Sequence, residues 1–212
     1  RIRALQSHHE ELEKAGQGAR IAVNLVGVDH NDLARGSVLT RPNQWYLTSK
    51  FDGDLFVLNA VDHDISRRGA YLVYLGSGEY PAKLRVLGPE SIFPGEQGKV
   101  RIFIDNELPL MLGDGYILRD SGRGETIGGG KILDPQPLLK SSEAVPDASV
   151  DRVISEHGWI TDDHLEALTG ERRTPTVKNW IIDPPLINEL KFEVLHLIEE
   201  GGALGVNLSD LS

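Results

Sequence analysis

The sequence has 212 residues, no cysteine and a formal net charge of -10, so it can form two or three small domains but has no disulfide framework and no cysteine-bearing zinc site. It contains no apolar run of membrane-spanning length and no signal-peptide pattern, so we expect a cytoplasmic protein that does not bind membranes. The negative charge argues against a nucleic-acid partner, but residues 136–212 hold 14 acidic and 6 basic side chains, so the earlier residues are nearly balanced.

The first 47 residues contain short strand-like runs at 1–7, 19–27 and 37–40, separated by polar and glycine-rich segments. The run 19–27 is apolar on both faces, which predicts a strand buried in a barrel. Because two or three strands cannot close a barrel, residues 1–47 are predicted as a partial β-barrel whose other strands precede them. An initial residue other than Met and a helix-like start at 207–212 suggest an excised fragment.

Residues 48–135 show the pattern of a small antiparallel barrel. Gly, Pro, Asp and Asn separate strand-like runs at a regular spacing. These runs lie at 53–61, 69–75, 80–88, 98–105, 115–119 and 125–133. Apolar and polar residues alternate within them, so one face is predicted to point inward and the other to meet water or a partner.

A proline-containing segment, residues 136–147, predicts a linker. In residues 148–212 the hydrophobic period becomes helical. The predicted elements are a helix near Val150, a second helix capped by Thr161 and ended by Gly170, a strand over 179–182 and a third helix after Pro184. Helix, turn, helix and strand are the layout of a winged-helix domain.

The chain carries no motif that announces a reaction. The glycine-rich run 118–133 lacks the spacing of a P-loop and of a dinucleotide fingerprint. His8-His9 and Asp62-His63-Asp64 contain ligand-type residues, but adjacent residues on a strand point to opposite faces. We therefore predict no catalytic residue and no metal site.

Three segments together resemble the second and third domains of the elongation factor Tu superfamily of translational GTPases. They are AGQGARIAVNLVGV (15–28), RGSVL (35–39) and LRDSGRGETIGGGKILDP (118–135). Within that superfamily, RIRALQSH (1–8) and NLVGVDHNDLARG (24–36) are most similar to the selenocysteine-specific elongation factors. The winged-helix pattern supports this branch, which carries such repeats after its third domain.

The resemblance implies a mainly β fold with an α-rich C-terminal part. Its domains would be a partial domain II-like β-barrel (1–47), a domain III-like β-barrel (48–135), the linker and a winged-helix domain (148–212). It further implies a monomeric factor that binds GTP and Mg²⁺, delivers selenocysteinyl-tRNA to the ribosome and binds a messenger RNA hairpin through further winged helices. Because these 212 residues show no GTPase motif, we expect no cofactor and no enzymatic activity in this chain.

The resemblance places Arg20 in the pocket for the aminoacyl group. A selenol is ionised at neutral pH whereas a serine hydroxyl is not, and a cation about 4 Å from that anion is worth on the order of 4 kcal/mol at a part-buried site. The residue pattern alone leaves a second interpretation open, in which Arg20 is an ordinary surface arginine.

The resemblance also places the glycine-rich hairpin against the tRNA arm. The residues implied in tRNA binding are Arg119, Arg123, Gly128, Gly129 and Gly130. Guanidinium groups and exposed glycine amides suit phosphate and ribose contacts in an A-form stem. The alternative is that Arg119 pairs with Asp120 or Glu125 inside the hairpin.

Two other functions stay open. The barrels and winged helix could form a protein-interaction or regulatory scaffold, or the chain could be part of another translational GTPase. A P-loop and an N-K-x-D motif encoded upstream would argue against the scaffold.

Overall fold

The structure, a computed structural model, describes residues 1–42, 44–67, 69–202 and 205–206. The helix-like start predicted over 207–212 lies outside these residues. The chain divides into two compact units, Arg1–Ser37 and Val38–Ser212. Among the helices described, none is long and apolar enough to cross a membrane.

The first unit contains a three-stranded antiparallel sheet. Its strands are β1 (Ile2–Ser7), β2 (Glu10–Leu12) and β3 (Ala22–Leu25), in the order β2-β1-β3. A short 3-10 turn follows at His30–Asp32, and the Asp29 side chain caps it by accepting a hydrogen bond from the backbone amide of Asn31 at 2.8 Å. Asp and Asn favour this local closure because their short side chains reach nearby amides.

Two predictions for residues 1–47 are wrong. In the described sheet β3 pairs only with β1 and its Val23 side chain is exposed, so β3 is an edge strand rather than a buried one. The strand predicted at 37–40 does not form. A turn holds the chain there instead, because the Ser37 amide donates to the Ala34 carbonyl and the Ser37 hydroxyl accepts from the Ala34 amide.

The second unit begins with a closed six-stranded barrel. Its strands are β4 (Leu47–Val57), β5 (Tyr71–Leu75), β6 (Gly78–Leu87), β7 (Gln97–Pro109), β8 (Gly115–Asp120) and β9 (Glu125–Asp134). Their order around the barrel is β4-β7-β6-β5-β8-β9, and every neighbouring pair is antiparallel. The predicted mainly β class and this barrel are confirmed.

Inward-facing side chains fill the barrel. The largest fully buried ones on its strands are Phe51, Leu55, Ile102, Leu118, Ile127 and Ile132. The alternation along each strand produces this core, since every second side chain points to the same face. Burying a Leu, Ile or Phe side chain is worth about 1.5–3 kcal/mol, so this interior supplies most of the unit's hydrophobic stabilisation.

An α-rich part follows the barrel. It contains α1 (Val150–His157), β10 (Trp159–Thr161), α2 (Asp162–Thr169), β11 (Trp180–Ile182) and α3 (Pro184–Gly201), with β10 and β11 paired antiparallel. Thr161 caps α2 by accepting from the His164 amide, and Gly170 ends it in the left-handed conformation, as predicted. The short strand β10 was not predicted.

A second core joins α1 and α2 to the barrel within the same unit. Val153, Leu165 and Leu168 are buried in it, and Tyr46, which precedes β4, packs against them. The Leu112 amide, between β7 and β8, donates to the Leu168 carbonyl at 2.8 Å.

Candidate functional site

The β8–β9 hairpin, which carries most of the predicted tRNA-binding residues, closes through a tight four-residue turn. Asp120 holds it, because its Oδ1 atom accepts from the backbone amides of Gly122 at 2.8 Å and Arg123 at 3.0 Å. Gly124 completes the turn with a φ of 68°, a left-handed conformation that glycine adopts without steric cost. The amino-acid order D-S-G-R-G therefore fixes the local geometry.

Arg119 braces this turn from one side. Its Nη2 group donates to the Gly124 carbonyl oxygen at 2.6 Å. Neither Asp120 nor Glu125 forms an ion pair with it in the described part of the chain, so the predicted alternative of a pair inside the hairpin is wrong in that form. Arg119 is half-buried and keeps donors that this single bond does not use.

Arg123 is an exposed cation in the turn of the hairpin. Its side chain is 51% exposed, and Nη1 donates to Asp62 Oδ1 at 2.9 Å across 61 residues of sequence. A surface ion pair of this kind contributes little net free energy and exchanges readily with other anions. Arg123 can thus turn to a phosphate without a large loss.

His63 brings acidic groups together beside Arg123. Its ring nitrogens lie 3.2 Å from Asp62, 3.7 Å from Glu125 and 3.8 Å from Asp120. The hydrogen bond from His63, together with the charge of Arg123, lowers the pKa of Asp62. The cluster makes the electrostatic surroundings of the hairpin mixed rather than simply basic.

Among the described residues, one group brings its ligand atoms close enough to hold a metal ion. It consists of Asp62, His63 and Glu125, whose ligand atoms lie within 4.8 Å of one another. The sequence pattern had singled out Asp62, His63 and Asp64, whereas Glu125 enters from the hairpin. The Asp62 oxygen nearest His63 already accepts a hydrogen bond from Arg123, which a cation would have to displace. The absence of a metal site stays a prediction.

The glycines of β9 lie in the barrel wall between two strands. Gly128 pairs with Val57 on one side and Leu118 on the other. A Cβ atom on Gly128 would overlap the Phe56 carbonyl, and one on Gly130 would overlap the Asp54 carbonyl. A Cβ on Gly129 would lie 2.5 Å from the Tyr116 carbonyl oxygen. The structure thus gives Gly128, Gly129 and Gly130 a packing role, and a tRNA contact by their backbone stays a prediction.

Arg20 lies in the first unit, two residues before β3. It is exposed, and its backbone carbonyl accepts a hydrogen bond from the Ser7 hydroxyl at 3.1 Å, which ties it to the end of β1. Among the described residues, its guanidinium group has no ion-pair partner. The geometry leaves the cation available to an external anion, and its place in an aminoacyl pocket stays a prediction.

A buried ion pair that the sequence pattern did not single out lies on the outer wall of the barrel. Arg101 of β7 donates to both carboxylate oxygens of Asp52 at 2.6 and 2.8 Å and to the Leu139 carbonyl at 2.8 Å. Both side chains are almost fully buried. The hydrogen bonds to Asp52 raise the pKa of the Arg101 guanidinium. The predicted linker therefore covers Arg101 and is held to the barrel.

Arg152 of α1 forms a second such link. It donates to Asp134 at 3.0 Å and to the Leu133 carbonyl at 3.0 Å, both at the end of β9, and pairs with Glu156 at 2.7 Å. Because Arg152 is itself largely buried, these contacts are shielded from solvent. They fix α1 against the hairpin strand that carries the candidate site.

Comparisons with known proteins bear on the barrel and on the fold. A family model described as "Selenocysteine-specific elongation factor, beta-barrel domain" matches residues 54–138. The selenocysteine-specific elongation factor of Desulfomicrobium baculatum is 32% identical over 135 residues, which cover 64% of this chain and 21% of that protein. The chain therefore spans about a fifth of the length of this curated relative.

A solved structure extends the likeness to the whole chain. The crystal structure of a bacterial selenocysteine-specific elongation factor, EF-Sec, matches with a TM-score of 0.72 and 20% identity, covering 100% of this chain and 37% of that chain. At that identity the likeness concerns the fold alone. The family model and the curated relative confirm the predicted resemblance to the selenocysteine-specific elongation factors, and the solved structure supports the fold.

Proposed function

We propose that this chain is the tRNA-binding part of a selenocysteine-specific elongation factor, because residues 54–138 match the family model of the β-barrel domain of these factors. The complete factor would deliver selenocysteinyl-tRNA to the ribosome. GTP and Mg²⁺ would bind to a GTPase domain outside these residues, and a messenger RNA hairpin to winged helices beyond them. The family match over the barrel is the observation that carries the proposal.

The proposal assigns the first unit to a second, partial barrel and residues 148–212 to a winged-helix domain. The order α1, β10, α2, β11, α3 supports the latter, because a winged helix combines a helix-turn-helix with a short antiparallel strand pair. The three-stranded sheet of Arg1–Ser37 supports the former, since barrels of this kind are built from short antiparallel strands.

In this assignment Arg119 and Arg123 contact the tRNA backbone. The support is geometric, because the turn from Asp120 to Gly124 presents Arg123 at the outside of the barrel and holds Arg119 beneath it. Guanidinium groups form two-pronged hydrogen bonds to phosphate oxygens. Gly128, Gly129 and Gly130 would act indirectly, by letting β9 approach its neighbours closely enough to set the hairpin.

Arg20 would select the aminoacyl group. Its exposed guanidinium, tied at the backbone to β1, suits a fixed cation that meets an ionised selenol. An aminoacyl end that covers this guanidinium would make the site part-buried, where an interaction of about 4 kcal/mol at about 4 Å corresponds to roughly 1,000-fold discrimination against the neutral seryl group.

The test of Arg20 is the protection of aminoacyl esters by the complete factor. We expect Arg20→Ala to lower protection of selenocysteinyl-tRNA by up to about 1,000-fold while protection of seryl-tRNA changes little. Arg3→Ala, which removes another exposed cation of the same unit, is the matched control and should leave both unchanged. If Arg20→Ala still discriminates fully between selenocysteinyl-tRNA and seryl-tRNA, this assignment is wrong.

A further inference from the structure

The outer wall of the barrel carries an exposed aromatic ring between two lysines. Phe103 of β7 lies in register with Lys50 of β4 on one side and with Lys83 of β6 on the other. All three side chains point away from the core, because Ile102 and Ile104 on either side of Phe103 are buried. The Phe103 side chain is 37% exposed. Neighbouring strands lie about 4.8 Å apart, so the ring has an ammonium-bearing side chain on each flank.

Arg85 extends this arrangement along β6, two residues from Lys83 on the same face. We call Lys50, Lys83, Arg85 and Phe103 the Phe103 surface. Within the described chain, none of its three cations forms an ion pair, in contrast to most other arginines of the second unit.

Acidic groups on the neighbouring outward positions are mostly engaged elsewhere. Asp52 is bound by Arg101, and Asp54 accepts from the Gln97 side chain and from the Lys131 amide. Asp105, the next outward residue after Phe103, is an exposed acidic residue that borders the Phe103 surface. In a chain of net charge -10, the Phe103 surface is thus a local excess of available positive charge.

A groove of about 740 Å³ begins at Arg85. It is lined by a second guanidinium, from Arg67, and by hydroxyl-bearing residues that include Ser91, Ser141 and Ser142, with acidic side chains at Asp64 and Glu90. Hydroxyl and guanidinium donors suit the oxygens of a phosphodiester. The polar groups of the groove therefore extend those of the Phe103 surface.

Phe103 lies on a strand that pairs with neither strand of the candidate tRNA hairpin. In the order β4-β7-β6-β5-β8-β9, β7 and β8 are three strands apart in either direction. A ligand on Phe103 therefore contacts other strands than a ligand on Arg119 and Arg123.

We propose that the Phe103 surface binds an unpaired stretch of RNA. One base stacks on Phe103, Lys50 and Lys83 contact the phosphates on either side of it, and Arg85 leads the backbone into the groove. An exposed ring with flanking cations favours a single strand, since a duplex keeps its base faces covered. An acidic peptide would engage the cations but gain no base stacking. This site is independent of the proposed tRNA hairpin.

The test uses the 212-residue chain and a fluorescein-labelled oligouridylate of about 12 nucleotides, within the length range of single-strand sites. Fluorescence anisotropy gives the dissociation constant as a function of KCl concentration. We expect Phe103→Ala to weaken binding by roughly 5- to 100-fold and Phe103→Tyr to bind like the unchanged chain. Phe93→Ala removes a similarly exposed ring outside the surface and should have no effect.

The lysines give a second, independent readout. Lys50→Ala combined with Lys83→Ala should reduce the slope of log affinity against log salt by about 1.4, since each phosphate contact to a single strand contributes about 0.7. Both lysines are exposed, so this variant stays informative even if Phe103→Ala were to fold poorly.

Three results would overturn the proposal. They are equal effects of Phe103→Ala and Phe93→Ala, an unchanged salt slope in the double lysine variant, and equal competition by an RNA duplex or by polyglutamate. Arg119→Glu with Arg123→Glu should leave oligouridylate binding intact. Loss of tRNA binding with retained oligouridylate binding would therefore count against the proposed function and not against this site.

Discussion

Arg101 lies on β7, whose side chains alternate between the core and the outer face of the barrel. This alternation places Arg101 on the outer face. Its guanidinium is nevertheless almost fully buried, and the Leu139 carbonyl, from the segment after β9, accepts one of its hydrogen bonds. A charge in such a place is stable only when its partner and its remaining donors are satisfied, which Asp52 and Leu139 achieve together.

Replacing Arg101 with Ala should destabilise the second unit by about 3–5 kcal/mol, because the Asp52 carboxylate would stay buried without a partner. The measurement is the free energy of unfolding in urea. Arg172→Ala, which breaks an exposed ion pair with Glu166, is the control and should change little. Equal effects of the two substitutions would contradict the structural role of Arg101.

His157 and His164 are a second residue-scale feature with a measurable consequence. Their rings lie 5.8 Å apart, and Tyr46 stacks on His164 at 5.5 Å. Burial lowers the pKa of both histidines, and their mutual repulsion lowers that of His157 further. Both are therefore held neutral in the folded α-rich part.

The sign of the pH dependence follows from these lowered pKa values. The stability is fully present above the unfolded-state pKa of about 6.5 and is lost as pH falls through the lower folded-state pKa values, by up to about 1.4 kcal/mol per pH unit for each histidine. Urea unfolding between about pH 8 and pH 5 should show this decline. His157→Gln with His164→Gln should flatten it, whereas His196→Gln on exposed α3 should not. A decline that persists unchanged in the double variant would refute this explanation.

At the scale of elements, the barrel strands were predictable from the sequence because alternation is a local signal. The predicted runs 98–105 and 115–119 lie within the observed strands β7 and β8. β2 and β10 have three residues each and depend on their partners, so no local pattern indicates them. At 37–40 a strand was predicted that does not form. The cause is again the dependence on a partner, since the apolar residues of this segment find no partner strand among those described.

The β8–β9 hairpin shows which part of the site a sequence can predict. The turn residues and the glycines were visible in the order of amino acids. The sequence did not reveal the hydrogen bonds from Arg119 to the Gly124 carbonyl and from Arg123 to Asp62. Each depends on a contact that only the closed barrel fixes. The need for glycine at 128–130 likewise comes from the neighbouring carbonyls of Asp54, Phe56 and Tyr116.

Gly130→Ala should therefore destabilise the barrel by about 1–3 kcal/mol, because its Cβ atom would overlap the Asp54 carbonyl and force β9 away from β4. Thermal unfolding followed by circular dichroism measures the loss. Gly115→Ala on β8 is the matched control, since a Cβ atom there meets nothing within 4 Å. If both variants melt together, close strand approach is not the reason for Gly130.

At the scale of the second unit, the barrel, the linker and the helices belong to one compact unit. Arg101 and Arg152 hold the linker and α1 to the barrel wall, and the Leu112 amide joins the barrel to α2. Composition and proline content predicted a linker at 136–147, but they could not show that it is pinned. The partner that pins it, Arg101, lies 38 residues away from Leu139 in sequence.

The candidate tRNA contacts thus lie on a compact unit, and the central proposal is that the β8–β9 hairpin of this unit binds tRNA. The direct measurement is the affinity of the complete factor for selenocysteinyl-tRNA across a range of KCl concentrations, with Arg119→Glu and Arg123→Glu combined. Lys178→Glu combined with Lys191→Glu, at two exposed positions of the α-rich part, is the control of equal charge change. The account predicts weaker binding and a salt slope reduced by about 1 for each lost phosphate contact in the hairpin variant alone. An affinity and a slope that match those of the control would contradict it.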